Sequence, residues 1–303
     1  MAPAAGKKLV AATFTPFTLE GEVKLAEIVP YIDYLTKKQG VNSVFVNGTT
    51  GESMSLTVEE RKILAQEWCE KAKGKMEVIV HVGCMSLKDS QELAKHAADI
   101  KADAIAVMAP FFLKPKSAEA LKLYLQEVAS AAPHLPFYYY HIPAITGVKV
   151  PARDVIEGIQ ERIPTFSGVK FSGTDLMDFG RCVSYSPPRW SLLYGVDEQL
   201  LAALPMGANG AVGSTYNYLG CHVNKLLSAF ESHDLDQARK IQFKIQELLS
   251  FAANFGFDLG VNKQLMNDVS GLLLGPPRLP VMPCPNDHAQ AIKEKYFKLF
   301  TEC

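Results

Sequence analysis

PTFSGVKFSGTD, residues 164–175, is a short apolar run closed by turn residues, with one lysine, Lys170, at its centre. Buried strands carry Val, Ile and Phe, so a lysine belongs there only if the two faces of the strand meet different surroundings. Successive side chains of a strand point to opposite faces. Val169 and Phe171 suit a face packed against helices, which leaves Gly168, Lys170 and Ser172 on the other face, and Gly168 is expected to leave space beside the lysine. Similar runs recur about every 30 residues: LVAATF (9–14), SVFVN (43–47), EVIVHV (77–82), DAIAVMA (103–109), PFYYYH (136–141), FSGVKF (166–171), WSLLYG (190–195) and GAVGS (210–214).

Between these runs the apolar residues follow a helical period. The clearest case is 57–73, where Leu64, Trp68 and Ala72 form a stripe beside Ala65 and Cys69. Thr57 with Glu60 is a capping box for this helix, and Ser86 and Ser117 are N-caps for the next two. The charged run Glu59-Glu60-Arg61-Lys62 reads as solvated helix surface. Strands that alternate with helices are parallel and joined by right-handed crossovers. Eight such units in roughly 230 residues approach the ~250 of a closed barrel. The predicted fold class is therefore α/β, a (β/α)8 TIM barrel. A doubly wound open sheet is the alternative, but no G-x-G-x-x-G follows the first strand. From 233 onward the pattern is helical, over 233–255, 260–270 and 287–300, with GPPRLP (275–280) as a rigid link. The expected organisation is a catalytic barrel over 1–232 and a C-terminal helical extension over 233–303 packed on it.

The 303 residues are 48% hydrophobic and 21% charged, with a formal net charge of -1. That balance gives no footprint for nucleic acid or anionic lipid, and no run reaches the ~20 apolar residues of a membrane span. The apolar stretch near the start is too short for a secretory signal. Six cysteines (69, 84, 182, 221, 284, 303) lack C-x-x-C spacing, which predicts reduced thiols and a cytoplasmic protein, where the sequon Asn47-Gly48-Thr49 stays unmodified. Seven histidines make no H-E-x-x-H pair, so no metal site is expected.

Gly173-Thr174-Asp175 follows the lysine strand closely, placing Lys170 near the carboxyl end, where barrels build active sites. A desolvated lysine has its pKa lowered from ~10.4, and its neutral amine attacks ketones to form a Schiff base, an electron sink for carbon-carbon cleavage. The competing reading is a structural ion pair or a lysine reaching water. On the neighbouring strand, Tyr140 looks inward beside Lys170, and a phenol there can shuttle protons. The turn Asn47-Gly48-Thr49-Thr50-Gly51-Glu52 offers backbone amides and hydroxyls as a nest for a carboxylate, or serves simply as a capping turn. Asp197 and Glu198 can accept hydrogen bonds from sugar hydroxyls or cap a helix, and with no Lys or Arg nearby they argue against a phosphate. Cys84 reads as a buried apolar thiol, and His141 as a residue that orients backbone.

GTTGE (48–52), YYYHIPAITGVKV (138–150), GVKFS (168–172), GVDE (195–198), GAVGSTYNYLG (210–220) and GPPRLP stand in an order and at a spacing that together resemble the pyruvate-dependent class I aldolases of the dihydrodipicolinate synthase superfamily. Within that superfamily the resemblance is to the sialic acid aldolases (N-acetylneuraminate lyases) of vertebrate type, and it spans almost the whole chain. It implies that Lys170 is the Schiff-base lysine and Tyr140 the acid/base tyrosine. It implies further that Thr49 and Thr50 hold the substrate carboxylate, and that Ser172, Gly195, Asp197, Glu198 and Ser214 line the pocket for the rest of the sugar. A homotetramer with no metal or organic cofactor, acting on N-acetylneuraminate, pyruvate and N-acetylmannosamine, is also implied. Superfamily members that carry a tyrosine in the loop after strand four reach a neighbouring site with it; here the loop is Pro110-Phe111-Phe112-Leu113, without a hydroxyl. The segment 141–147 lacks the arginine with which a relative binds an aspartate-derived aldehyde, which favours a sialic acid over that substrate. An aldolase or dehydratase for a smaller keto acid, or a silent binding barrel, are the competing readings.

Overall fold

The structure is a computed structural model, and it describes residues 7–300. Eight strands, β1 (Lys8–Ala12), β2 (Ser43–Val46), β3 (Glu77–His81), β4 (Ala104–Met108), β5 (Phe137–His141), β6 (Phe166–Phe171), β7 (Ser191–Tyr194) and β8 (Gly210–Gly213), close in sequence order into a barrel. Parallel pairing of β1 with β8, from Lys8 opposite Gly210 to Ala11 opposite Gly213, leaves no edge. The expected barrel therefore forms rather than an open sheet.

The alternation read from PTFSGVKF holds. Val169, Phe171, Phe137 and Tyr139 belong to the core between strands and helices, whereas Phe45, Ile79, Ala106, Tyr140, Leu193 and Val212 pack inside the barrel. Lys170 is in register with Tyr140 on β5 and Leu193 on β7, so it shares their inward face. Gly168 has a different reason from the one expected. Its φ is +150°, and an added Cβ would lie 2.0 Å from the carbonyl oxygen of Ser191. The glycine lets β6 and β7 approach, beside a register shift at Phe137/Tyr138, instead of making room beneath the lysine.

The helix Val58–Ala72 carries the predicted capping box, and Ser86 and Ser117 cap as expected. Arg61, however, is not surface. It lies on the same face as Leu64, Ala65, Trp68 and Ala72, is 2% exposed, and donates to His81 O (2.7 Å) and Gly83 O (3.1 Å). A guanidinium can lie on the core side of an amphipathic helix when buried carbonyls satisfy it, and here it fixes the turn after β3. Glu60 from the same run pairs with Arg278.

Beyond 232 the helices Leu235–Ala253, Leu259–Ser270 and Asn286–Leu299 continue the outer core through Ile245, Leu248, Leu265, Met266 and Ile292. The segment after the second of these returns to the barrel, where Phe17 N donates to Leu274 O (2.9 Å). Cys69, Cys84, Cys182 and Cys284 are free, but Cys221 is disulfide-bonded, which corrects the expectation of six reduced thiols. Sequence spacing cannot reveal which thiols a fold brings together. Cys303 lies outside the described residues. Among the described residues no helix is long and apolar enough to cross a membrane, and no group of three or more His, Cys, Asp or Glu side chains could hold a metal ion.

Replacing Gly168 with alanine forces both an unfavourable φ and an overlap with the Ser191 carbonyl. We expect a loss of about 3 kcal/mol or more in denaturant unfolding; a change within about 0.5 kcal/mol contradicts this account of the β6–β7 contact.

Candidate active site

A cavity of about 460 Å3 opens at the carboxyl ends of the strands, and its wall contains Lys170, Tyr140, Thr49, Thr50, Ser172, Gly195, Asp197, Glu198 and Ser214. Every residue that the resemblance implies for the site is thus brought to one place, although the residues come from five separate segments of the chain. A larger groove of about 770 Å3, lined by Phe17, Leu272 and Pro276 among others, contains none of them, so size alone does not locate the chemistry.

Lys170 is 4% exposed. Its Nζ lies 3.9 Å from the ring centroids of both Phe45 and Tyr140, and no ion pair among the described residues engages it. The structural ion-pair reading is thereby removed. Burial lowers its pKa to about 7, with the charge of Asp197 acting weakly in the opposite direction. The ring faces also favour the ammonium form, but such contacts are worth only ~0.5–2 kcal/mol and desolvation outweighs them. The amine is therefore poised between its two forms at neutral pH.

Tyr140 Oη shares a hydrogen bond with Thr49 Oγ1 (3.1 Å). Burial pushes this phenol up to about 12, against hydrogen bonds to Thr49 and Ser172. The resting group is a protonated phenol. His81, which sequence reasoning passed over, packs edge-on to the same ring at 5.8 Å, and its Nδ1–H donates to Asn47 O (2.9 Å). Burial holds that imidazole well below its ordinary pKa, so it is neutral packing behind the tyrosine. In the turn after β2 the Thr49 and Thr50 amides donate to nothing among the described residues, leaving an open pair of N–H groups at the cavity mouth.

The two acids differ. Asp197 is 7% exposed and accepts from Thr215 N (2.9 Å) and Thr215 Oγ1 (2.6 Å); burial raises its pKa to about 6. A Cβ on Gly213 would lie 1.9 Å from Asp197 Oδ1, so the glycine of β8 makes room for this carboxylate. A Cβ on Gly195 would likewise lie 2.2 Å from Ser172 Oγ. Glu198 is exposed and free to meet a ligand. Phe112 is also exposed, while Cys84 and His141 lie off the cavity: Cys84 Sγ sits 2.8 Å from Arg61 Nη1, and His141 Nδ1 sits 3.2 Å from Tyr139 Oη.

The extension does more than pack. Gln242 Nε2 donates to Asp197 O (3.2 Å), Gln246 Nε2 to Glu198 O (2.8 Å), and Asn262 Nδ2 to Ser214 Oγ (2.8 Å). Leu249, Phe257, Leu259 and Asn262 line the cavity directly. Sequence reasoning missed Gln242, Gln246 and Asn262 because they lie on helices whose polar positions resemble solvent faces. The two glutamines at 242 and 246, one turn apart, were the available signal.

The model of the dihydrodipicolinate synthetase family matches residues 5–297. The chain belongs to the dihydrodipicolinate synthetase family. Within it, the chain is 61% identical over 289 residues to an N-acetylneuraminate lyase of Danio rerio, covering 95% of this chain and 94% of that one. A solved N-acetylneuraminate lyase (sialic acid aldolase) from Aliivibrio salmonicida superposes with a TM-score of 0.92 at 35% identity, covering 97% of this chain and 96% of the other. A second family structure, described as a sialic acid aldolase catalytic lysine mutant from Ruminococcus gnavus, gives 0.89 at 29% identity and covers 97% of this chain and 98% of that one.

Because the folded pKa of Lys170 lies below its unfolded value, the buried ammonium destabilises the protein. The penalty is full below about pH 7 and fades as pH rises toward 10.5. Lys170→Met should therefore melt higher than wild type at pH 6, with the gap closing by pH 10 in calorimetric scans. A variant that melts lower at pH 6, or a gap independent of pH, contradicts the burial argument.

Proposed function

We propose that the chain is a Schiff-base aldolase that cleaves N-acetylneuraminate reversibly to N-acetyl-D-mannosamine and pyruvate. The observation that carries this reading is the buried, unpaired amine of Lys170 beside the Tyr140 phenol, in a cavity lined also by Thr49, Thr50, Asp197 and Glu198. The relatives named as N-acetylneuraminate lyases support the same substrate.

The open-chain keto acid places its carboxylate on the Thr49 and Thr50 amides and hydroxyls. Neutral Lys170 attacks C2, water leaves, and an iminium forms. The C3–C4 bond then breaks, its electrons passing into the iminium to give an enamine, while C4 becomes the aldehyde carbon of N-acetylmannosamine. The proton of the C4 hydroxyl has to go somewhere. A phenol held near 12 is a poor resting base, so Tyr140 Oη passes that proton on to the substrate carboxylate as it gives up its own. The same proton returns to C3 of the enamine, and one water hydrolyses the iminium to pyruvate and free Lys170. Asp197, Glu198, Ser172 and Ser214 hold the polyol so that C4 lies by Tyr140, an orientation effect worth several kcal/mol.

A smaller keto acid as the main substrate is disfavoured by the exposed Glu198 and by the 460 Å3 of space, more than a short chain fills. Among the described residues, those up to 232 supply the reacting groups and the helices beyond back the cavity. Phe112 and Leu113, each 80% exposed in the loop after β4, support an assembly in which another copy covers them, which we take to be a homotetramer in the cytoplasm.

Product analysis tests the reading. Wild-type protein given N-acetylneuraminate should release pyruvate and N-acetylmannosamine in equal amounts, and Lys170→Ala should release neither above background. Equal release by both proteins, or none by wild type, ends it. Glu198→Gln should raise the KM for N-acetylneuraminate about tenfold and leave pyruvate binding unchanged, as a lost charge-assisted hydrogen bond to the polyol requires.

A further inference from the structure

Glu52 stands two residues beyond Thr50, in the same turn, yet its side chain leaves the cavity and enters the barrel–extension boundary. Its backbone is left-handed, with φ +55°, an uncommon conformation for a residue with a Cβ. Oε1 accepts from Lys263 Nζ at 2.9 Å, and Oε2 accepts from Arg278 N at 2.8 Å. Both side chains of the Glu52–Lys263 pair are 1% exposed. Lys263 Nζ also donates to Pro276 O (3.1 Å) and lies 4.3 Å from the Phe17 ring centroid. Burial lowers the Lys263 pKa only to about 8, the charge of Glu52 opposing the shift, so the ion pair persists at neutral pH.

The turn is held from inside as well. Glu52 N donates to Thr49 O (3.0 Å), Ser53 N to Gly48 O (3.2 Å), and Thr15 Oγ1 donates to Gly51 O (2.6 Å). Glu52 is thus one of the groups that fix the direction of the Thr49 and Thr50 amides, together with Thr15, the Ser53–Gly48 backbone bond and the Thr49–Tyr140 hydrogen bond. Compared with apolar side chains of equal volume, a buried ion pair adds little net stability; what it can supply is geometric specification.

We infer that the Glu52–Lys263 ion pair is a positioning device for carboxylate recognition: the C-terminal extension, through Lys263, sets the Thr49–Thr50 turn at the angle that receives a keto acid's carboxylate. This rests on the aldolase reading above. The pair never touches the ligand, so its effect is confined to ligands that carry a carboxylate. Lys170, which makes no hydrogen bond or ion pair with Glu52 or Lys263 among the described residues, keeps its reactivity without the pair.

Borohydride trapping at Lys170 separates these effects when two ketones are compared: pyruvate, and acetone, which lacks the carboxylate. The variants are Glu52→Gln and the double variant Glu52→Gln/Lys263→Met, which leaves no lone buried charge and so protects the fold. Adducts are counted by mass spectrometry of the peptide containing Lys170. The pyruvate concentration for half-maximal trapping should rise at least tenfold in both variants, with the acetone trapping rate kept within twofold of wild type. An unchanged pyruvate requirement in the folded double variant overturns the inference, and so does an equal fall for both ketones, which would mark the pair as a structural staple. Wild-type protein trapped by neither ketone instead overturns the aldolase reading, and this inference with it.

Discussion

A single desolvated amine sets the terms for this molecule. Lys170 lies inside the barrel against two aromatic rings, with no carboxylate paired to it among the described residues, and burial lowers its pKa to about 7. Keeping a lysine there is costly, and a barrel is a fold that can bear the cost, because its outer core of strands and helices supplies stability without help from the interior near the carboxyl ends. The neighbouring groups follow from this choice. Asp197 is close enough to influence the amine but is tied to Thr215, so it moderates the charge without neutralising it. Tyr140 is protonated for the same reason that Lys170 is partly neutral: both are buried, and burial disfavours the charged form of each.

The second organising feature is the division of labour between barrel and extension. The barrel provides Lys170 and Tyr140 on adjacent strands in direct register, a rigid relation that no loop movement alters. The recognition groups other than Ser172 sit on turns after β2, β7 and β8, and turns need support from outside. That support comes from Gln242, Gln246, Asn262 and Lys263, which reach the Asp197, Glu198, Ser214 and Glu52 segments respectively. Reacting atoms thus rest on the sheet, while substrate selection rests on helices distant in sequence.

Much of this was legible in the sequence, and the limits are instructive. The eight strands were readable because short runs rich in Val, Ile, Phe and Tyr recur about every 30 residues between stretches of helical period, and predicted limits for FSGVKF coincide with β6. The inward face of Lys170 followed from the alternation of side chains along that strand. Arg61 was misread because charge in a helix ordinarily marks solvent, whereas here the position falls on the apolar stripe and the guanidinium ends on carbonyls of the β3 turn. Gly168 was given a local reason when its true neighbour, Ser191, is contributed by the next strand. Glu52 was visible only as the end of a glycine turn, since its partners lie more than 200 residues away. Long-range polar pairs leave no periodic trace in a sequence, and so those that hold this site together had to be found in three dimensions.

The central claim concerns the protonation of one amine, and it can be measured without any substrate. Trace labelling with acetic anhydride over pH 5 to 11, followed by quantification of acetyl-Lys170 relative to an exposed lysine such as Lys37, gives the titration of that amine directly. The account predicts half-maximal reactivity of Lys170 near pH 7, well below the ~10.4 of an ordinary lysine side chain. Reactivity of Lys170 that rises in parallel with Lys37 up to pH 10 would contradict it.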